Sequence, residues 1–237
     1  LADLNVGVLF ILAIGSLTTV AIFMAGWSSN NRYALFGAAR AVAVLISYEV
    51  PMALAVAGVL LVAGSLSLVD IVHQQSVPFM LVQPLGFLVF MAAALAKIGR
   101  TPFDQIEAES ELGAGYHTEY SGMKFGMFYS ADFVETVLAS SLITTLFFGG
   151  WQVPYLASDG FCFPGGATIS LSQPVVMVLQ IGSFLLKVFF FCFLMMLVRW
   201  TLPRFRWDQL MKLGWTIMLP LSIANILVTG LIILLAA

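Results

Sequence analysis

Five of the chain's twelve carboxylates, Asp104, Glu107, Glu109, Glu111 and Glu119, fall within PFDQIEAESELGAGYHTEY at 102–120. Crowded carboxylates repel one another. Where water is excluded their pKa values rise and couple, so such a group can hold and pass protons near neutral pH. A helix begun at Pro102 would put Asp104, Glu107 and Glu111 at i, i+3 and i+7 on one face, with Glu109 pointing elsewhere. An ordinary solvated acidic loop is the competing reading of the same spacing. Gly113, Gly115, Gly122 and Gly126 make the stretch adaptable, and Tyr116, His117, Tyr120, Phe125, Phe128 and Tyr129 lie among them. Those rings could line a slot for a flat apolar ligand, or simply pack. His117 reads as a loop histidine rather than a metal ligand.

Other charges lie inside apolar runs. Glu49 falls near the middle of one, with Arg40 near its end. A carboxylate at the centre of a bilayer costs on the order of 2.5–3.5 kcal/mol, so it normally faces protein or water. A proton relay is the favoured role; a protonated side chain bonded to a neighbouring helix is the alternative. Pro51 follows closely and would free backbone carbonyls there. Lys187, in FLLKVFFF, is expected to pair with a buried acid, with snorkelling or a neutral amine as alternatives. Asp132 and Glu135 open the fourth apolar run, where a mere capping role competes because acids suit a helix N-terminus. No metal cluster, phosphate-binding glycine loop or nucleophile motif is visible, and Cys162 and Cys192 read as unpaired apolar thiols.

The elements that must hold these residues follow from composition. The chain is 61% hydrophobic and 9% charged, where a soluble domain carries about a quarter charged residues. Long apolar runs of this kind predict an all-α polytopic membrane protein, not a β-barrel with its short alternating segments. A net charge of −2 gives no sign of nucleic acid. We read residues 1–237 as a single transmembrane domain with six spans, at about 4–27, 38–63, 79–96, 131–151, 174–198 and 214–236, and an acidic loop at about 97–130. Arg32, Arg40, Lys97, Arg100, Lys124, Arg199, Arg204, Arg206 and Lys212 all fall at connections on one side, whereas 64–78 and 152–173 contain no Lys or Arg. The basic side, acidic loop included, is therefore expected in the cytoplasm or an organelle's matrix. Residues 66–72 read as an interfacial turn of helix on the opposite side. The first apolar run is long enough to span and shows no cleavable signal peptide; Leu1 in place of a start methionine leads to the expectation of a truncated N-terminus.

Three stretches go beyond composition: SSNNRYALFGAARAVAVLISYEV (28–50), RTPFDQIEAESELGAGYHTEYSGMKFGMFYSADF (100–133) and LVRWTLPRFRWDQLMKLGWTIMLPLSIAN (197–225). They closely resemble the family of the H-type membrane subunit, also called subunit 1, of complex I, the proton-pumping NADH–quinone oxidoreductase. Members usually have eight spans; six are visible here, so the N-terminal part is expected to be missing. The resemblance implies a membrane subunit of the respiratory chain without redox centres or catalysis of its own. FMN and iron–sulfur clusters would belong to partner subunits. With the quinone-site subunits of the hydrophilic arm, this subunit would form the chamber where ubiquinone or menaquinone is reduced. Its carboxylates would start the proton path toward small membrane subunits and antiporter-like subunits.

By motif position the path would comprise Glu49, Asp104, Glu107, Glu109, Glu111, Glu119 and Asp132; the chamber Arg40, Phe125, Phe128 and Tyr129; and the subunit contacts Arg199, Arg204, Arg206, Asp208 and Lys212. The chain also departs from the pattern. It reads AKIGR where many relatives have Ala-Glu-Thr-Asn-Arg, so Lys97 replaces a glutamate; ADF stands for Ala-Glu-Tyr, and Val44 for Gln. These changes point to a bacterial inner-membrane form rather than a mitochondrial one. The nearest rival is the equivalent subunit of a relative fed by ferredoxin, coenzyme F420 or a hydrogenase. A stand-alone proton transporter lacks the expected repeat with broken helices, and an inert anchor would not keep Glu49 and Lys187.

Overall fold

The computed structural model describes residues 4–75, 77–104, 115–154, 156–157, 160–162, 168–170 and 172–236. The chain folds as α1 (Gly7–Ser28), α2 (Arg32–Ala63), α3 (Leu68–Gln74), α4 (Phe79–Val82), α5 (Pro84–Ile98), a 3-10 turn (Gly115–His117), α6 (Gly122–Phe147), α7 (Gln173–Thr201), α8 (Trp207–Lys212), a π turn (Leu213–Met218) and α9 (Leu219–Ala236). Five helical stretches are long and apolar enough to cross a membrane: α1, α2, α6, α7 and the continuous run Trp207–Leu235. Large apolar side chains such as Phe10, Leu17, Met177, Phe189 and Leu234 face outward. That surface suits lipid and not water. The chain is an all-α polytopic membrane protein.

The sixth expected span is broken. α4 and α5 are separated at Gln83, whose φ of −131° and ψ of 66° are not helical. Pro84 disfavours the helical conformation in the residue before it and has no N–H to continue a helix. The Gln83 amide is not lost to solvent: its Nε2 donates to the Gly58 carbonyl of α2 at 2.9 Å. α5 alone, at 15 residues, is about 22 Å long, shorter than a bilayer core of about 30 Å. Two other boundaries also move. α2 begins at Arg32 because Asn31 caps it, its side chain accepting the Tyr33 N–H at 3.0 Å. α6 begins at Gly122, so Phe125, Phe128 and Tyr129 lie on a helix instead of in the loop.

α2 is the centre, packed on α1, α5 and α9. Small side chains permit this: Ala34, Ala38, Ala41 and Ala55 are fully buried, and small residues let membrane helices approach closely. At Gly26 of α1 any Cβ would come within 2.2 Å of the Ala38 Cβ. The connections at 28–32, 99–121 and 201–207 meet at one end. Asn31 donates to Glu119 at 2.8 Å, Tyr120 donates to the Ala25 carbonyl at 2.7 Å, and the Phe205 N–H donates to the Pro102 carbonyl at 3.0 Å. At the other end lies α3, the expected interfacial turn, capped by Ser67. The connection after α6 carries a ribbon of three antiparallel strands, β1 (Leu156–Ala157), β2 (Gly160–Cys162) and β3 (Thr168–Ser170), that sequence patterning did not foresee.

Candidate functional site

Glu49 lies on α2 two residues before Pro51, where the helix loses one hydrogen bond. Lys97 lies in the last turn of α5, which Gly99 ends at φ 68°. The two meet inside the bundle: Lys97 Nζ is 3.3 Å from Glu49 Oε1, and their side chains are 10% and 20% exposed. α1 closes the contact. Its Gly15 carbonyl accepts from Lys97 at 3.0 Å, and its Thr19 hydroxyl donates to Glu49 at 3.3 Å. Each charge thus has an opposite charge and a further polar partner, which a buried ion pair needs.

α6 brings a second pair. Asp132 Oδ2 is 3.6 Å from an Arg100 guanidinium nitrogen. That guanidinium lies over the rings of Tyr129 and Phe133, 5.0 and 5.3 Å from their centroids. One turn on, Glu135 lines two cavities, of about 390 and 360 Å³, between α1, α5 and α6. Lys97, Thr18 and Ile98 line both as well. The larger is otherwise walled by apolar residues such as Leu12, Phe90 and Leu142; the smaller reaches Asp132, Tyr116 and Phe128. The arrangement is a set of ionisable groups around space inside an apolar bundle. It can hold and move protons.

Beside it is an aromatic cluster. Phe128 packs on Tyr116, His117 and Tyr120 with centroids 5.0–5.6 Å apart. His117 is buried, and its Nδ1 has no hydrogen-bond partner among the described residues. Burial holds its imidazole down to about 4, so it is neutral at physiological pH.

The site residues expected from sequence divide accordingly. Glu49 and Asp132 reach the cluster, and Phe128 lines its smaller cavity. Phe125 and Tyr129 pack within the aromatic group at 5.9 Å from each other. Arg40 is half-buried on α2. Glu119 is exposed at the Asn31 connection, away from Glu49. No helix starts at Pro102: residues 101–104 form a turn, with Phe103 buried against Tyr48 and Phe205, so Asp104 follows a docked turn and not a helical face. Glu107, Glu109 and Glu111 lie outside the described residues. Arg204, Arg206, Asp208 and Lys212 are exposed, Arg206 pairing with Asp208 at 3.5 Å, while Arg199 is half-buried beside a small cavity with Arg100.

Lys187 is a correction. Its ammonium donates to three backbone carbonyls, Phe148, Gly150 and Gln152, at 3.0, 3.0 and 2.8 Å, and not to an acid. A cation suits the orphan carbonyls and partial negative charge at the end of α6. Sequence reasoning weighed Glu135 mainly as a cap, and left Lys97 without a partner. The i, i+3 spacing of Asp132 and Glu135 was the available signal for the former.

Residues 1–230 match the family model described as NADH dehydrogenase. The chain belongs to that family. Among members of the NADH dehydrogenase family it is 50% identical over 236 residues to the H-type subunit of the NADH-quinone oxidoreductase of Dehalococcoides mccartyi, covering 100% of this chain and 61% of that relative. It is 44% identical over 235 residues to an H-type NADH-quinone oxidoreductase subunit of Cytophaga hutchinsonii, covering 98% and 66%. It is 47% identical over 238 residues to NADH-quinone oxidoreductase subunit 8 of Rhodothermus marinus, covering 98% and 68%. The chain spans 61% of the length of the first of these curated relatives. The resemblance drawn from the quoted motifs is borne out.

Proposed function

We propose that this chain acts as the membrane subunit of a bacterial complex I, shaping the quinone chamber with the hydrophilic arm and opening the carboxylate path that couples quinone reduction to proton translocation. The observation that carries the reading is the Glu49–Lys97 ion pair at 3.3 Å, set with Asp132 and Glu135 around cavities in an apolar bundle. An inert anchor would have no reason to retain charges at such depth. Relatives from several bacteria, each named as the H-type subunit of an NADH-quinone oxidoreductase, support the assignment and the inner-membrane location.

The chemistry follows from charge. Reduction of quinone to quinol takes up protons near the chamber. Supplying them makes carboxylates such as Asp104 and the neighbouring acids change charge, and a change of charge there shifts the proton affinity of the next group inward. Asp132, beside both Arg100 and the smaller cavity, is a step between the aromatic end and Glu49. Quinone is the substrate; FMN and iron–sulfur clusters would sit in partner subunits. The test uses the assembled complex in proteoliposomes, with quinone reduction and proton uptake measured together. Glu49→Gln should assemble and lose pumping by about tenfold or more. Normal pumping by that variant would refute the path through Glu49.

A further inference from the structure

Counting charges at Lys97 leads beyond the path itself, while resting on it. Asp132 is matched by Arg100. That leaves two carboxylates, Glu49 and Glu135, for the single ammonium of Lys97. Around them α1 contributes only the Thr18 and Thr19 hydroxyls and the Gly15 carbonyl, and the wall is Ile11, Leu12, Val134 and Leu138. The charges that act on Glu135 are Lys97, Asp132 and Glu49. Among the described residues its carboxylate forms no hydrogen bond or ion pair. A net negative charge in such a wall is unfavourable, and one proton removes it. The lysine stem is flexible, and Gly15 leaves room for its tip: a Cβ there would be 2.8 Å from Nζ.

We propose that Glu135 is a second proton-holding site beside Glu49, and that Lys97 is the positioning residue that decides which of the two carboxylates holds one shared proton. In the arrangement seen, Lys97 pairs with ionised Glu49 and the proton rests on Glu135. When the Glu135 O–H bond breaks and the proton passes to water in the cavity, the ammonium turns to the new carboxylate. Glu49, released, forms an O–H bond with a proton arriving from the chamber side. One proton enters and one leaves, the net charge is unchanged, and no electron moves.

The experiment uses the assembled complex in proteoliposomes, reading pumping, quinone reduction and the infrared carbonyl band of protonated carboxyl groups. Glu135→Gln should remove a carboxyl band and slow pumping by about tenfold or more. Glu135→Asp should shift the band and recover part of the pumping. Lys97→Met should strengthen the carboxyl band, because both acids then need protons, and should also stop pumping. A merely structural lysine would not move that band. Should Glu135→Gln fail to assemble, an unshifted band in Glu135→Asp overturns the proposal. So does a Glu135→Gln complex with the wild-type band and full pumping. If Glu49→Gln stops pumping while Glu135→Gln does not, the path stands and the shared proton fails; if neither matters, both fail.

Discussion

At the scale of single residues, burial has opposite consequences for two basic groups. Lys187 keeps its ammonium satisfied by three carbonyls at the end of α6. His117 has rings around it and an unpartnered Nδ1, so its neutral form is favoured. The consequence is a pH dependence of stability. The unfolded imidazole binds a proton below about 6.5, whereas the folded one resists until about 4. Between those values the unfolded state holds more protons, so stability falls as pH falls, by at most on the order of 3 kcal/mol. At pH 7 both states are neutral and the effect is absent. Thermal melting of the solubilised complex between pH 7 and 4 should show this slope in the wild type and a shallower one in His117→Phe. Identical slopes would mean that His117 is already charged or already exposed.

At the scale of elements, the charge cluster depends on how closely α1 and α2 approach. α1 supplies Gly15 and Thr19 to the Lys97–Glu49 pair, and Gly26 against Ala38 sets its distance from α2. Gly26→Ala should destabilise by about 1–3 kcal/mol through overpacking. Gly182→Ala on α7 has open space around it and should be neutral or slightly stabilising, since alanine is the better helix former. Melting temperatures of the two variants in the same detergent make the comparison; equal temperatures would remove the packing argument. On its other side α2 is clamped just before Glu49. Trp215 of the π turn donates to the Ser47 hydroxyl at 2.9 Å, and Tyr48 donates to the Leu210 carbonyl at 2.9 Å. The π turn, a feature often found at functional positions, lies against the part of α2 that Pro51 weakens.

For the whole molecule, polarity is arranged end to end. The connections at 28–32, 99–121 and 201–207 share one end, and Arg204, Arg206 and Lys212 are exposed there. The Arg206–Asp208 pair is 80% and 74% exposed, so it contributes little by itself. A basic edge beside a membrane suits a soluble partner with acidic surface, in keeping with the hydrophilic arm of the proposed complex. Replacing Arg204, Arg206 and Lys212 together with alanine should release the arm at lower salt than in the wild type, because exposed charges are screened. Native gel electrophoresis across a salt series reads this out. Arm retention indistinguishable from wild type would assign the contact elsewhere.

The membrane character, the polarity of the connections and the family were all legible in the sequence. Apolar length, charge asymmetry and the motifs around Glu49, Asp104 and Asp132 are properties of local order along the chain. The cost of burying Glu49 and Lys187 was legible too, because it depends on what surrounds a residue in sequence. Who answers each charge was not. Lys97 meets Glu49 only because α5 and α2 are neighbours, and it reaches Gly15 only because α1 packs on the same face. Lys187 reaches carbonyls instead of an acid because α6 ends beside the middle of α7. The break at Gln83 has a local sign in Pro84, yet it is tolerable only because Gly58 of α2 offers a carbonyl to the glutamine amide. Electrostatic partnership falls off within a few ångströms, and distances of that order between residues far apart in the chain are set by helix packing alone.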